Sequence, residues 1–165
     1  MKTCLSTFIF LACLLGMAAA AFAQMEPPAE IDLLNTPEPF SLITSADDSP
    51  GLARKKAALR LVRGYHVTLG QLHACRPSHQ EAGKAMGTYS QRNGNTLALS
   101  MKVVNEYGGM TPEIRSVLDT EVADSLASAG DCQAFIKDVN SGSRDIYKAP
   151  QFQNDYKLVQ SKAKP

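Results

Sequence analysis

Three side chains that could do chemistry lie close together in the stretch L-H-A-C-R-P-S-H-Q-E: His73, Cys75 and His79. They could bind a metal, they could form a cysteine nucleophile with its base, or Cys75 could belong to a structural disulfide. Tetrahedral metal ligands on one helix usually lie three or four residues apart, and neither H-x-x-x-H nor C-x-x-C occurs in the chain. We therefore expect neither a metal nor another cofactor, and the disulfide is the favoured interpretation.

The first 23 residues favour the disulfide because they indicate export. They contain one lysine, an apolar run that is short and rich in alanine, and a closing A-F-A of the kind that signal peptidase cleaves. We predict a secretory signal peptide over 1–23, cleaved near Ala23, and a periplasmic or secreted protein. The alternative is a lipoprotein signal in which Cys13 is the acylated residue.

Removal of the signal peptide leaves two cysteines, Cys75 and Cys132. An even pair in an oxidising compartment most simply forms one bridge. Both cysteines also lie on the predicted apolar faces of helices, where a structural disulfide is expected and an exposed reactive thiol is not. We predict a Cys75–Cys132 disulfide.

The mature chain divides by composition into three parts. Residues 24–50 contain five prolines, six acidic residues and no basic residue, which predicts a flexible acidic leader. Residues 51–143 have helical periodicity and predict the folded domain. Residues 144–165 predict a polar tail that holds at most a short frayed helix.

The periodicity of the middle part predicts an all-α fold, a small bundle of four to five helices stapled by one disulfide. The first helix carries an apolar stripe up to Cys75, and Ser78 with Glu81 predicts a capping box for the second. Gly94 leaves open whether 79–107 form one helix or two. The polar stretch T-Y-S-Q-R-N-G-N around it could contact a ligand or form a helix–helix turn, and of these two we favour the turn. The Y-G-G that ends at Gly109 predicts a helix stop, and the T-P-E of Thr111 predicts the start of the next helix. Gly130 and Asp131 predict the end of that helix and the cap of a short one, which the S-G-S around Gly142 ends.

A run of basic residues follows the acidic leader. Lys56, Arg60 and Arg63 recur on one predicted face of the first helix, opposite its apolar stripe. They could form a solvated outer face or a site for an anionic partner. In a third interpretation, the leader covers this face and competes with such a partner.

The sequence lacks the motifs of common enzyme classes: G-x-S-x-G, G-x-x-x-x-G-K and G-x-G-x-x-G are absent. We predict an exported non-catalytic binding or accessory protein of the bacterial envelope, whose partner is a protein or an anionic envelope component. A formal net charge of +1 argues against a nucleic-acid partner. The alternatives are a periplasmic chaperone-like helical protein, and a small hydrolase or metal-binding protein that uses His73 and His79.

Overall fold

The structure, a computed structural model, describes residues 40–126 and 130–161. These residues form five α-helices and one short 3-10 helix, with no strand among them, which confirms the all-α prediction. The helices are α1 (Pro50–Cys75), α2 (Glu81–Glu106), α3 (Pro112–Leu126), α4 (Cys132–Ser141) and α5 (Gln153–Gln160), and the 3-10 helix is Pro150–Phe152. The predicted signal peptide, leader residues 24–39 and residues 162–165 lie outside the described part.

Helix α1 is the central element of the described part and packs against α2, α3, α4 and α5. Its first turn is capped by the Ser49 hydroxyl, which accepts a hydrogen bond from the backbone N–H of Leu52 at 3.2 Å. The predicted apolar stripe is buried, and so are other positions around the helix, among them Ala57, Leu59 and Leu61. Because neighbours surround α1, it is apolar on more than one face.

Helix α2 is one continuous helix, which answers the question that the sequence left open, and the favoured polar turn at R-N-G-N is wrong. Gly94 is accommodated within it, because one glycine costs a helix interior only about 1 kcal/mol. The predicted capping box is also wrong. The Ser78 hydroxyl donates to the Cys75 carbonyl at 3.2 Å, and Gln80, which precedes the first residue of α2, makes no side-chain cap.

The end of α2, the start of α3 and both ends of α4 agree with the sequence signals. Gly108 and Gly109 have positive φ after α2, and Gly142 is left-handed after α4. The Thr111 hydroxyl accepts a bond from the N–H of Ile114 at 3.4 Å, and Asp131 caps α4 through the N–H of Gln133 at 2.9 Å. Local polar groups thus define both helix starts.

The predicted disulfide is confirmed. Cys75, at the end of α1, is bonded to Cys132, at the start of α4, with a Cα–Cα distance of 5.6 Å. Cys75 is buried and Cys132 packs against the core. The bridge ties the first helix of the bundle to a helix that is remote in sequence.

The helical unit extends past the predicted boundary at residue 143. Ile146 and Val159 are fully buried in the core. The ring of Phe152 lies so close to Gly64 that a Cβ at that glycine would collide with it. At the other end, Leu42 is buried against the core. The described unit therefore includes part of the predicted leader and most of the predicted tail.

Candidate functional site

Lys56 and Arg60, two of the three predicted anion-binding residues, are occupied by partners within the chain. The Lys56 ammonium binds the Asp48 carboxylate at 2.8 Å and donates to the Ile43 carbonyl at 2.9 Å. Arg60 donates through two nitrogens to the carboxylate of Asp155, at 2.9 and 2.5 Å. Its guanidinium also donates to the Leu42 carbonyl at 2.5 Å.

Arg63, the third residue, is paired with Glu121 of α3 at 2.6 Å, and both side chains are about a third exposed (36 %). The expected continuous basic surface is therefore absent from the described part. The physical reason is the central position of α1, because the face opposite the stripe is covered by segment 40–49, by α5 and by α3. Binding of an anionic partner by these three residues stays a prediction, and it would require their internal ion pairs to open.

The described part of the leader does lie on this face of α1. The hydrogen bond from Lys56 holds the pKa of the Asp48 carboxyl below its usual value, and the backbone N–H of Ser45 lowers that pKa further. The predicted contact between leader and basic face is thus present for residues 40–49 at Lys56 and Arg60. The leader residues 24–39, where the rest of that contact was expected, lie outside the described part.

His73 and His79 do not converge on a site. His73 is exposed near the end of α1, and the half-buried His79 contacts the Ser78 hydroxyl at 2.9 Å through Nδ1. The described ranges contain no group of three or more histidine, cysteine, aspartate and glutamate side chains that could hold a metal ion. The use of these histidines by a hydrolase or a metal site stays a prediction.

The polar stretch on α2 has an internal role that the sequence did not reveal. Asp145 is fully buried and accepts bonds from Arg92 Nε and Asn93 Nδ2, each at 3.0 Å. The Asn93 carbonyl oxygen in turn accepts the backbone N–H of Ile146 at 2.8 Å. Arg92 and Asn93 thus bind the connection that follows α4, and they lie within a continuous helix instead of the expected turn. Nothing in the sequence of 144–165 indicated that Asp145 would be buried.

Tyr89 is the largest fully buried side chain in the described part, and its ring stacks on that of Tyr65 at 5.6 Å. Burial raises the pKa of Tyr89 to about 12. Its hydroxyl lies beside that of Thr68 without a hydrogen bond of regular geometry. A phenol that is protonated at neutral pH and enclosed in the core serves packing and is no candidate base.

A partly enclosed cleft on the described surface lies between α1, α2 and α3, and we call it the α1–α3 cleft. Its volume is about 380 Å³. Apolar side chains line it from all three helices and from the α2–α3 connection, and polar groups complete the wall. The apolar residues are Val62, Met101, Met110, Leu118 and Val122, and the polar residues are Arg63, His66, Arg115 and Asp119.

The cleft opens outward along α3. A shallower depression of about 430 Å³ shares Met110, Arg115 and Asp119 with it and continues past Pro112 and Thr120. Arg115 and Asp119 therefore stand at the mouth, where the cleft meets the open surface. One helical turn separates them on α3. They form no ion pair with each other or with another described residue.

A second cavity of about 290 Å³ lies on the other side of Arg63, near Arg144 and Phe152. Its two arginines are already paired, Arg63 with Glu121 at 2.6 Å and Arg144 with Asp138 at 3.2 Å. The α1–α3 cleft differs because it combines an apolar interior with two charged residues, Arg115 and Asp119, that have no ion-pair partner within the described ranges. We therefore regard it as the candidate functional site.

Arg63 is the one predicted site residue that lines the α1–α3 cleft, and the cleft itself was not expected from the sequence. Its lining includes no serine, threonine or cysteine that could act as a nucleophile. The individual signals, such as Met101 on α2 and Arg115 on α3, resemble ordinary helix positions until the three helices are packed. The arrangement can hold an apolar group inside and a charged group at the mouth.

Comparison with protein-family models finds no match, and no curated protein or solved structure matches the chain.

Among the described helices, none combines the length and the apolar character that crossing a membrane requires.

Proposed function

We propose that this chain is an exported, non-catalytic binding protein of the bacterial envelope, and that the α1–α3 cleft is its ligand site. One observation carries the proposal: the cleft joins apolar side chains of three helices to charged groups at its mouth that have no partner within the described residues. Clefts of this composition and of at least 300 Å³ are typical of small-molecule sites.

Binding is favoured over catalysis by what surrounds the cleft. General acid–base or nucleophilic catalysis needs a reactive group held by a second one within hydrogen-bond reach. His66 and Asp119 line the cleft, but neither donates or accepts a side-chain hydrogen bond within the described residues. Arg92 and Asp145, which are joined by a hydrogen bond, lie outside the cleft and connect α2 to the segment that follows α4.

The proposal of export comes from the sequence of the first 23 residues and is tested separately. The full chain is expressed in a bacterial host, and the mass of the purified protein is measured. We expect the periplasmic fraction to contain a chain that begins at Gln24. A cytoplasmic chain that retains Met1 would overturn export, and lipid attached at Cys13 would replace secretion by a membrane anchor.

Ligand binding is tested by filling the cleft. The protein spanning 24–165 is incubated with envelope extract, recovered without denaturant and analysed by native mass spectrometry and for co-purified proteins. Val122→Trp places an indole in the cleft, whereas Ala123→Trp places the same ring on the exposed neighbouring position of α3. Met110→Trp is a second filling variant that changes the connection and leaves the helices intact.

We expect the retained small molecule or partner to be lost from both filling variants and kept by Ala123→Trp. Equal retention by all three variants would overturn the assignment of the cleft. Conversion of a recovered compound by the unmodified protein, abolished by Val122→Trp, would overturn the non-catalytic part of the proposal.

A further inference from the structure

Most arginines of this chain form ion pairs with carboxylates of the same chain. The chain contains seven arginines, and five of them form ion pairs within the described residues. Arg76 and Arg115 do not. Arg76 is exposed at the end of α1, whereas Arg115 stands at the mouth of the α1–α3 cleft. Arg115 is therefore the arginine whose position suits an anion from outside the chain.

Arg63, the other arginine of the cleft, is a weaker candidate for that role. The carboxylate of Glu121 lies 2.6 Å from its Nε, so an incoming anion would compete with an internal one. Arg115 has no such ion-pair partner in the part of the chain that the structure describes, and its guanidinium can bind a carboxylate through two parallel hydrogen bonds. The head group of a ligand is thus expected at Arg115.

The interior of the cleft suits a single flexible chain. Met101 and Met110 contribute unbranched thioether side chains, which adapt to ligands of irregular shape, and Val122 adds a rigid apolar wall. If each chain atom takes the ~30 Å³ that a water molecule occupies in the liquid, a volume of 380 Å³ holds about a dozen non-hydrogen atoms. That is the size of a medium-chain carboxylic acid.

We infer that the α1–α3 cleft binds single-chain amphiphiles with a carboxylate head group, with the chain among Met101, Met110 and Val122 and the carboxylate on Arg115. This inference rests on the proposed function, because it names the ligand class of the same site. Asp119, one turn from Arg115, opposes a carboxylate by its like charge. The two residues at the mouth therefore predict opposite effects when their charges are removed.

The test measures binding of hexanoate, octanoate, decanoate and dodecanoate to the protein spanning 24–165 by isothermal titration calorimetry, below the micellar concentration of each acid. Decanol and decyltrimethylammonium have the same chain with a neutral and a cationic head group. We expect the affinity to rise about fourfold per added methylene until the cleft is full. Decanoate should bind more tightly than the two other decyl compounds.

The variants separate charge recognition from apolar binding. Arg115→Gln should weaken decanoate binding by about tenfold or more, as loss of a charge-assisted hydrogen bond implies, and leave decanol binding unchanged. Arg76→Gln removes the other unpaired arginine and should change neither. Asp119→Asn should tighten decanoate binding. All three positions are exposed, so folding should be retained, and circular dichroism checks this.

Several outcomes overturn the inference and leave the proposed function standing. Equal binding of decanoate and decanol, or equal effects of Arg115→Gln and Arg76→Gln, would show that the head group is not recognised. Stronger binding of decyltrimethylammonium, lost in Asp119→Asn, would make the ligand a cation. If no amphiphile binds while Val122→Trp still removes a protein partner, the cleft is a protein-docking site. Absence of both kinds of binding would refute the proposed function itself.

Discussion

Replacing Asp145 by asparagine should lower the free energy of unfolding by about 3 kcal/mol, although the change alters few atoms. The carboxylate is fully buried and accepts hydrogen bonds from Arg92 and Asn93 at 3.0 Å. An asparagine would turn an NH₂ group toward one of these donors. Removing one partner of a buried ion pair costs about 3–5 kcal/mol. We expect the lower end because Arg92 is 24 % exposed and keeps its bond to the Val139 carbonyl.

The measurement is equilibrium unfolding in urea at pH 7, followed by far-ultraviolet circular dichroism. The matched control is Asp138→Asn, which breaks an exposed ion pair with Arg144. The side chain of Asp138 is 50 % exposed and that of Arg144 is 44 % exposed. Such a pair contributes about 0–1 kcal/mol. In an Arg92→Gln background, the cost of Asp145→Asn should become smaller, because the guanidinium that the carboxylate balances is gone.

The reasoning would be refuted if Asp145→Asn cost no more than Asp138→Asn, or if its cost were unchanged in the Arg92→Gln background. In the first case, water or neighbouring groups would replace the buried carboxylate. In the second, the stability would come from the packing of the connection after α4 and not from the ion pair. Comparable urea dependence of the unfolding free energy in all variants is needed for the comparison.

Three further predictions concern the two ends of the helical unit and its disulfide. Gly64→Ala should lower the free energy of unfolding by about 1–3 kcal/mol, because its Cβ would displace the ring of Phe152, and an unchanged urea midpoint would contradict this packing. Reduction of the disulfide, which closes a separation of 57 residues, should cost about 4 kcal/mol in the same assay. Asp48→Asn should be destabilising at pH 7, where the carboxylate is charged and bound to Lys56. The pKa of Asp48 in the folded state lies below the ordinary pKa of an aspartate. The stability difference between Asp48→Asn and the unmodified protein should therefore disappear as the pH falls from that ordinary pKa through the lowered one. A stability difference that persisted in acid would exclude the ion pair as its cause.

The features that could be predicted from the sequence depend on residues close together in the chain. The helix ends at Gly108–Gly109 and at Gly142, and the caps at Thr111 and Asp131, were predicted because turn and cap geometry is decided within a few residues. The disulfide was predicted from a count of cysteines and their helical faces. The capping box at Ser78 failed because its hydroxyl donates back to the Cys75 carbonyl instead.

The remaining features depend on which segments cover which faces, and only the tertiary structure decided them. The basic residues of α1 resemble a solvated face in sequence, but Asp155 of α5 covers Arg60 and Glu121 of α3 covers Arg63. Asp145 is buried because a guanidinium from α2 compensates its charge. The α1–α3 cleft exists only where three helices converge. Such contacts join residues that are far apart in the chain, so no local sequence pattern indicates them. The apolar stripes, caps and stops that define the helices depend on neighbouring residues and can therefore be recognised in the sequence.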